Sequence, residues 1–265
     1  MLSRLLQENL PRLLMVELKG LFKLALAKAI KYFKNKKNAL SWDWYDIWQD
    51  AHKKSFTVAK VMREDILKDI RSSIDKALSE GKTFHEFQKE LKPILQKKGW
   101  WGEQFVVDSS GVAEKVQLGS MYRLKTIYRV NMQTAYQTGR YNTQLENIDN
   151  RPYWEYVAVM DASTRPEHAM LNGLVYRYDD PFWKAFYPPN GWHCRCRVNA
   201  ISQYKVDKNK ILVSSSSGNL SEEMHLVSKK SGEYKSVTVY TDPLSGKKIA
   251  PDVGWSHNPA SALVD

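Results

Sequence analysis

This 265-residue chain predicts an α+β protein: a mainly helical N-terminal half, then a small α+β domain and a loosely ordered C-terminal tail. Three observations lead there. Apolar residues at helical spacing, punctuated by glycine and capping residues, dominate the first hundred positions. Aromatic and β-branched runs appear after residue 150. Beyond Tyr204 both patterns fade into serine-rich and polar sequence. The expected divisions are 1–98 (helical), 99–203 (α+β) and 204–265 (tail, with a hairpin).

The first helix follows Pro11, its stripe formed by Leu14, Val16, Leu21, Leu24, Ala27 and Ile30, and it ends in the basic run Lys31, Lys34, Lys36, Lys37. A second is expected from about Trp44 to Leu78, closed by Gly81, since glycine favours the left-handed position after a helix. Thr83 and Glu86 form a capping box that opens a third through Phe84, Phe87 and Leu91, with Pro93 expected to kink or shorten it. KKGWWG (97–102) reads as a boundary whose Trp100 and Trp101 dock these helices onto the next part of the chain. Residues 104 to 117 read as short and turn-rich.

A long helix is expected from about Gly119 to Leu145, with Leu124, Ile127, Tyr128, Met132, Ala135 and Tyr136 on one broad face. YWEYVAVM (153–160) is a strand. Thr164 and Glu167 form a second capping-box pattern, placing His168 on a short helix that stops at Asn172 and Gly173. LVYRY (174–178) is another strand. In WHCRCRVNAI, alternation puts Trp192, Cys194, Cys196, Val198 and Ala200 on one strand face, and His193, Arg195, Arg197 and Asn199 on the other. SSSSGN (214–219) reads as flexible, SVTVY as part of a hairpin, and DVGWSHNPASALVD as a polar end.

The net charge of +11 suits a polyanion or an acidic protein surface, although solvated helix faces carry lysine for solubility alone. No stretch reaches the roughly 18 uninterrupted apolar residues of a membrane span. Two cysteines one residue apart form no disulfide framework and point to folding in a reducing, intracellular compartment.

Asp161 to Cys196 concentrates the special chemistry. Both cysteines share a face, His168 is the natural third metal ligand, and Asp161 or His193 could be the fourth around zinc. The same cysteines also fit small buried hydrophobes beside Trp192 and Val198. Asp161, Arg165, Glu167 and His168 could serve as acid, base and anion clamp, with Cys194 as nucleophile. Turn and capping roles account for several of them as well. The chain carries no G-x-S-x-G elbow, P-loop, H-E-x-x-H or dinucleotide fingerprint. Arg123, Arg129, Arg140, Arg195 and Arg197 are candidates for non-specific DNA contact. Salt bridges to Glu155, Asp179 or Asp180 would explain them equally well. The many tryptophans and phenylalanines lean toward an interaction protein.

RLKTIYRVNMQTAYQTGRY (123–141), YVAVMDASTRPEHAMLNGLVY (156–176) and DDPFWKAFYPPNGWHCRCRV (179–198), taken in order, resemble the phage Mu F-like head-morphogenesis family, the minor capsid proteins of tailed phages. The helical stretches SFTVAKVMREDILKDIR and FHEFQKELKPILQKKGWWG extend the resemblance to roughly residues 25 to 203. DVGWSHNPA is a looser match, with Ala260 where the family has glycine. Related families carry a further cysteine pair upstream of C-R-C, where Arg165 and His168 stand here. The resemblance implies a non-enzymatic, low-copy protein inside the phage head. It would be assembled in the host cytoplasm and act in procapsid assembly and DNA packaging at the portal vertex. Its partners would be portal protein, major capsid or scaffolding protein, and packaged double-stranded DNA. From the residues, a metal-dependent nuclease and a basic DNA-binding module are the competing classes.

Overall fold

The computed structural model describes residues 24–107, 113–229 and 231–263. Its first helix, α1, covers 24–35. Its buried face is Ala25, Ala29, Tyr32 and Phe33, whereas Leu24 of the expected stripe is exposed. Leu14, Val16 and Leu21 lie outside the described residues.

The helix expected from Trp44 is much shorter. α3 is Glu64–Glu80, and only the single turn α2, Ala51–Lys54, precedes it. Two-residue strands β1 (Lys37–Asn38) and β2 (Ser55–Phe56) pair in parallel across the gap. Tertiary contacts override helical spacing here. Lys235 lies over the Trp48 ring at 4.8 Å, and Gln49 Nε2 donates to the Ser236 carbonyl at 3.0 Å. Gly81 closes α3 in the left-handed region at φ 70°. α4 (Phe84–Lys97) opens on the expected capping box, Thr83 with Glu86. Pro93 does not shorten it: the proline faces solvent, where water can take up the carbonyl it leaves without a donor.

Residues 104 to 117, expected to be turn-rich, form a hairpin of β3 (Glu103–Val107) and β4 (Ala113–Gln117). Nearly all its side chains are exposed. With Val116 the one buried position of its two strands, it lacks the alternation by which strands are recognised.

α5 (Met121–Leu145) is the long helix expected, and it belongs to both large cores. Leu124, Ile127 and Ala135 join the helical core with Ile70, Ile74, Phe87, Leu91 and Trp100. Gly139 lets α1 cross closely, for a Cβ there would lie 2.1 Å from the Ala25 carbonyl oxygen. On another side of the helix, Tyr141 and Leu145 pack on the second core.

The second core is built on an antiparallel sheet in the order β6-β5-β7, with β5 Tyr153–Val157, β6 Val175–Arg177 and β7 Arg197–Ile201. Between β5 and β6 lies α6 (Pro166–Met170), and α7 (Phe182–Phe186) follows β6. Trp154, Tyr156, Tyr176, Phe182 and Tyr187 are fully enclosed, with Phe182 stacked on Phe186 at 4.6 Å.

Past residue 203 the chain is more ordered than its composition suggests. α8 (Gln203–Asn209) is followed by β8 (Leu220–Ser228), β9 (Glu233–Thr241) and β10 (Lys248–Ile249) in one antiparallel sheet. The hairpin expected around SVTVY is therefore present, and its Tyr240 reaches the second core. The serine tract expected to be flexible is anchored by Ser216, which is fully buried and bonded to Asp180. The last segment folds back as a 3-10 helix, Pro259–Leu263, beside α5, burying His257, Asn258 and Ala260.

Candidate metal centre and the clasp around it

The strand expected at Trp192 begins only at Arg197. Residues 192–196 turn instead, with His193 at φ 59°. Both cysteines still point inward. Cys194 Sγ lies 3.7 Å and Cys196 Sγ 3.5 Å from His168 Nδ1. All three residues are buried, and their ligand atoms lie within 4.8 Å of one another.

Electrostatics sharpen the contrast between the two thiols. Cys194 donates toward Cys196, which brings the Cys196 thiol down to about 7 against the effect of burial. Contact with the Tyr156 hydroxyl and the positive charges of Arg195 and Arg165 act in the same direction. That hydrogen bond and burial together push the Cys194 thiol up.

Asp161 and His193 are not part of this cluster. Arg195 donates two hydrogen bonds to the Asp161 carboxylate, at 2.6 and 2.5 Å, and the pair holds that carboxyl well below its usual range. Asp161 also accepts from the Ser163 N–H and the Thr164 hydroxyl. Thr164 therefore serves this turn and not a capping box; α6 starts from Arg165 with Pro166 in its first turn, and no side chain caps it. His193 faces away from the cysteines, toward Thr126 at 3.1 Å and the Tyr122 ring. Glu167 is exposed.

Arg165 pairs with Asp252 at 3.1 Å and donates to the Trp192 carbonyl at 2.7 Å. The Asp252 carboxylate in turn accepts from the Trp192 N–H, and the Trp192 ring meets Trp255 edge-on at 5.3 Å. The whole polar cluster is thus cross-braced, with the C-terminal segment as its outer tie.

The candidate DNA-contact residues divide. Arg123 is turned inward, stacked on Trp100 and donating to the carbonyls of Gln117, Leu118 and Ala59. Arg140 donates to the Val198 carbonyl at 2.7 Å. Both guanidiniums are therefore bonded to the protein's own backbone. Arg195 is held by Asp161, an acid outside the three expected partners. Arg129 and Arg197 are exposed.

Several participants carry no obvious mark in the sequence. Tyr156 sits beside Cys196 and donates to Asn190 at 2.8 Å. From α5, Gln133 and Gln137 both donate to the Cys196 carbonyl, while Arg140 and Gln144 donate to that of Val198. One signal was available: positions 133, 137, 140 and 144 recur at helical spacing. A cavity of about 270 Å³, lined by Lys36, His52, His257 and four tryptophans, lies between α1, α5 and the returning C-terminal segment.

The sequence profile described as Phage Mu protein F like protein matches residues 68–199. A protein of Escherichia phage Mu, provisionally named capsid assembly protein F, is 47% identical over 237 residues, which is 89% of this chain and 54% of that protein. The Mu-like prophage FluMu F protein of Haemophilus influenzae is 42% identical over 225 residues, covering 84% of this chain and 53% of that protein. The chain therefore spans about half the length of these curated relatives. No solved structure matches it. The Asp161–Cys196 clasp falls wholly inside the matched region, and the chain belongs to the phage Mu F-like family.

Proposed function

We propose that this chain acts in phage head assembly as a minor capsid protein that docks at the portal vertex and works without turnover. The observation that carries this reading is the self-satisfied state of the clasp. Asp161, Thr164, Arg165 and Arg195 are bonded to one another, to backbone or to Asp252. Groups spent this way hold a surface in shape and are poorly placed to act on a substrate. The name given to the phage Mu relative agrees with an assembly role.

The β3–β4 hairpin suits docking. Phe105 and Val107 are 76% and 64% exposed on an element with little core of its own, the kind of apolar surface a partner covers. We assign it to contact with portal or shell protein, and exposed cations such as Arg129 and Arg197 to contact with packaged double-stranded DNA. Such a protein resides in the head interior after assembly in the host cytoplasm. Among the described residues, no helix is long and apolar enough to cross a membrane. Co-purification of the chain with portal protein from procapsids is expected, and its absence from purified heads would overturn the proposal.

A further inference from the structure

The three cluster residues come from two segments, α6 and the turn before β7. Among the described residues, no backbone hydrogen bond joins these segments directly. The His168 ring between them is 4% exposed, yet its Nε2 has no hydrogen-bond partner among the described residues. Its Nδ1 faces only the two sulfurs. Buried polar groups are ordinarily satisfied by strong partners, and thiols are weak ones. Coordination to a metal would give Nδ1 a strong partner in place of two weak ones and leave the ring proton on Nε2.

The spacing fits. Bonds of about 2.3 Å to sulfur and 2.0–2.1 Å to imidazole nitrogen, at tetrahedral angles, separate the two ligand atoms by about 3.6 Å. The observed separations are 3.5 and 3.7 Å. Two sulfurs and an imidazole suit zinc and disfavour magnesium or calcium, which take oxygen ligands. Two thiolates also cancel the charge of a divalent ion, so the site would carry no net buried charge. On the cysteine side the surroundings are braced: Gln133 and Gln137 hold the Cys196 carbonyl, and Tyr156 is fixed by Asn190 beside the Cys196 sulfur.

We infer that His168 Nδ1 and the sulfurs of Cys194 and Cys196 bind one zinc ion, which fastens α6 to the Cys194–Cys196 turn. Among the described residues, no further His, Cys, Asp or Glu joins the cluster, which leaves the fourth corner to an oxygen ligand. The ion would act as a staple for the surrounding clasp, independently of whether the protein docks at a portal.

Elemental analysis of the full chain, purified without chelator, is expected to give about one zinc per chain. Cobalt(II) added to the metal-stripped protein is expected to produce thiolate-to-cobalt charge-transfer absorption, which zinc then abolishes. His168→Ala and Cys196→Ser should lower metal content at least tenfold, whereas His168→Cys, which restores a soft donor, should retain it. The cobalt spectrum of the unmutated chain decides the matter even if a variant fails to fold. A wild-type protein without zinc and without that absorption would overturn the inference. So would a Cys194–Cys196 disulfide in freshly purified protein, or full metal content in the Cys194→Ser/Cys196→Ser double variant.

Discussion

Gln137, in the middle of α5, donates from its Nε2 to the carbonyl oxygen of Cys196 at 2.9 Å, with both residues buried. A strand neighbour usually supplies such a bond; here a helix side chain serves the carbonyl just before β7. Gln133 shares the same acceptor at 3.2 Å, and Arg140 and Gln144 repeat the arrangement one step along, at Val198. The long helix is thereby fastened to the segment that carries the cysteines.

Removing one donor leaves the other in place. Gln137→Ala should therefore destabilise the protein by roughly 1–2 kcal/mol, and Gln133→Ala by less. The double variant should lose more than the sum of the two, because only then is a buried carbonyl left without a donor. Urea unfolding of the three variants checks this. Strict additivity would mean the two glutamines act independently.

Gly139 is predicted to tolerate no side chain. Its Cβ would meet the backbone of α1 and not a flexible side chain, so α1 must shift. Gly139→Ala should destabilise by roughly 1–3 kcal/mol despite alanine's better helix propensity. Arg129→Ala on the exposed side of the same helix is expected to fall within about 0.5 kcal/mol of wild type. Thermal unfolding compares the two.

The features legible in the sequence rest on local chemistry. The capping box at Thr83 and Glu86, the left-handed Gly81 and the apolar spacing of α5 are contained within a few residues, and each appears as expected except at Tyr136 of the α5 face, which is exposed. The losses have distant causes. Trp44 and Trp48 read as helical, yet they pack together and near residues around 235 and 254. The C-terminal DVGWSHNPA reads as polar, but Asp252 ties down Arg165 and Ala260 is buried near α5. At the candidate site, His168, Cys194 and Cys196 could be grouped because two of them sit two residues apart. Asp161 could not be excluded from that group without seeing Arg195 opposite it.

Lys36 gives a pH prediction. Burial brings its amine down to about 7, with repulsion from Arg71 adding to the effect. The unfolded chain keeps an ordinary lysine near 10.5, so between these values it binds the extra proton. Stability should therefore rise with pH from about 7 toward 10. Lys36→Met is expected to stabilise the protein at pH 7 by roughly 1–4 kcal/mol and to flatten that rise.

The histidines of the same cavity act at lower pH. Burial, followed by repulsion from Lys36, takes His52 to about 4; burial, followed by repulsion from His52, takes His257 to about 3. Both protonate near 6.5 when unfolded, so stability present above that pH is lost as it falls toward 4 and below. Urea midpoints at about pH 5, 7 and 9 measure both limbs of the profile.

Phe105→Glu on the exposed hairpin should leave the melting temperature within a degree or two of wild type, since the ring buries little. The same change is expected to reduce incorporation into procapsids severely. Quantitative immunoblotting of gradient-purified particles reads that effect, and normal incorporation would remove the hairpin from the docking surface.

The docking role is tested most directly by locating the chain in particles. Gold-labelled antibody against an epitope tag on the chain, applied to opened procapsids, is predicted to mark a single vertex and to coincide with label on the portal protein. Label distributed evenly over the shell, or particles that assemble and package DNA without the chain, would contradict it.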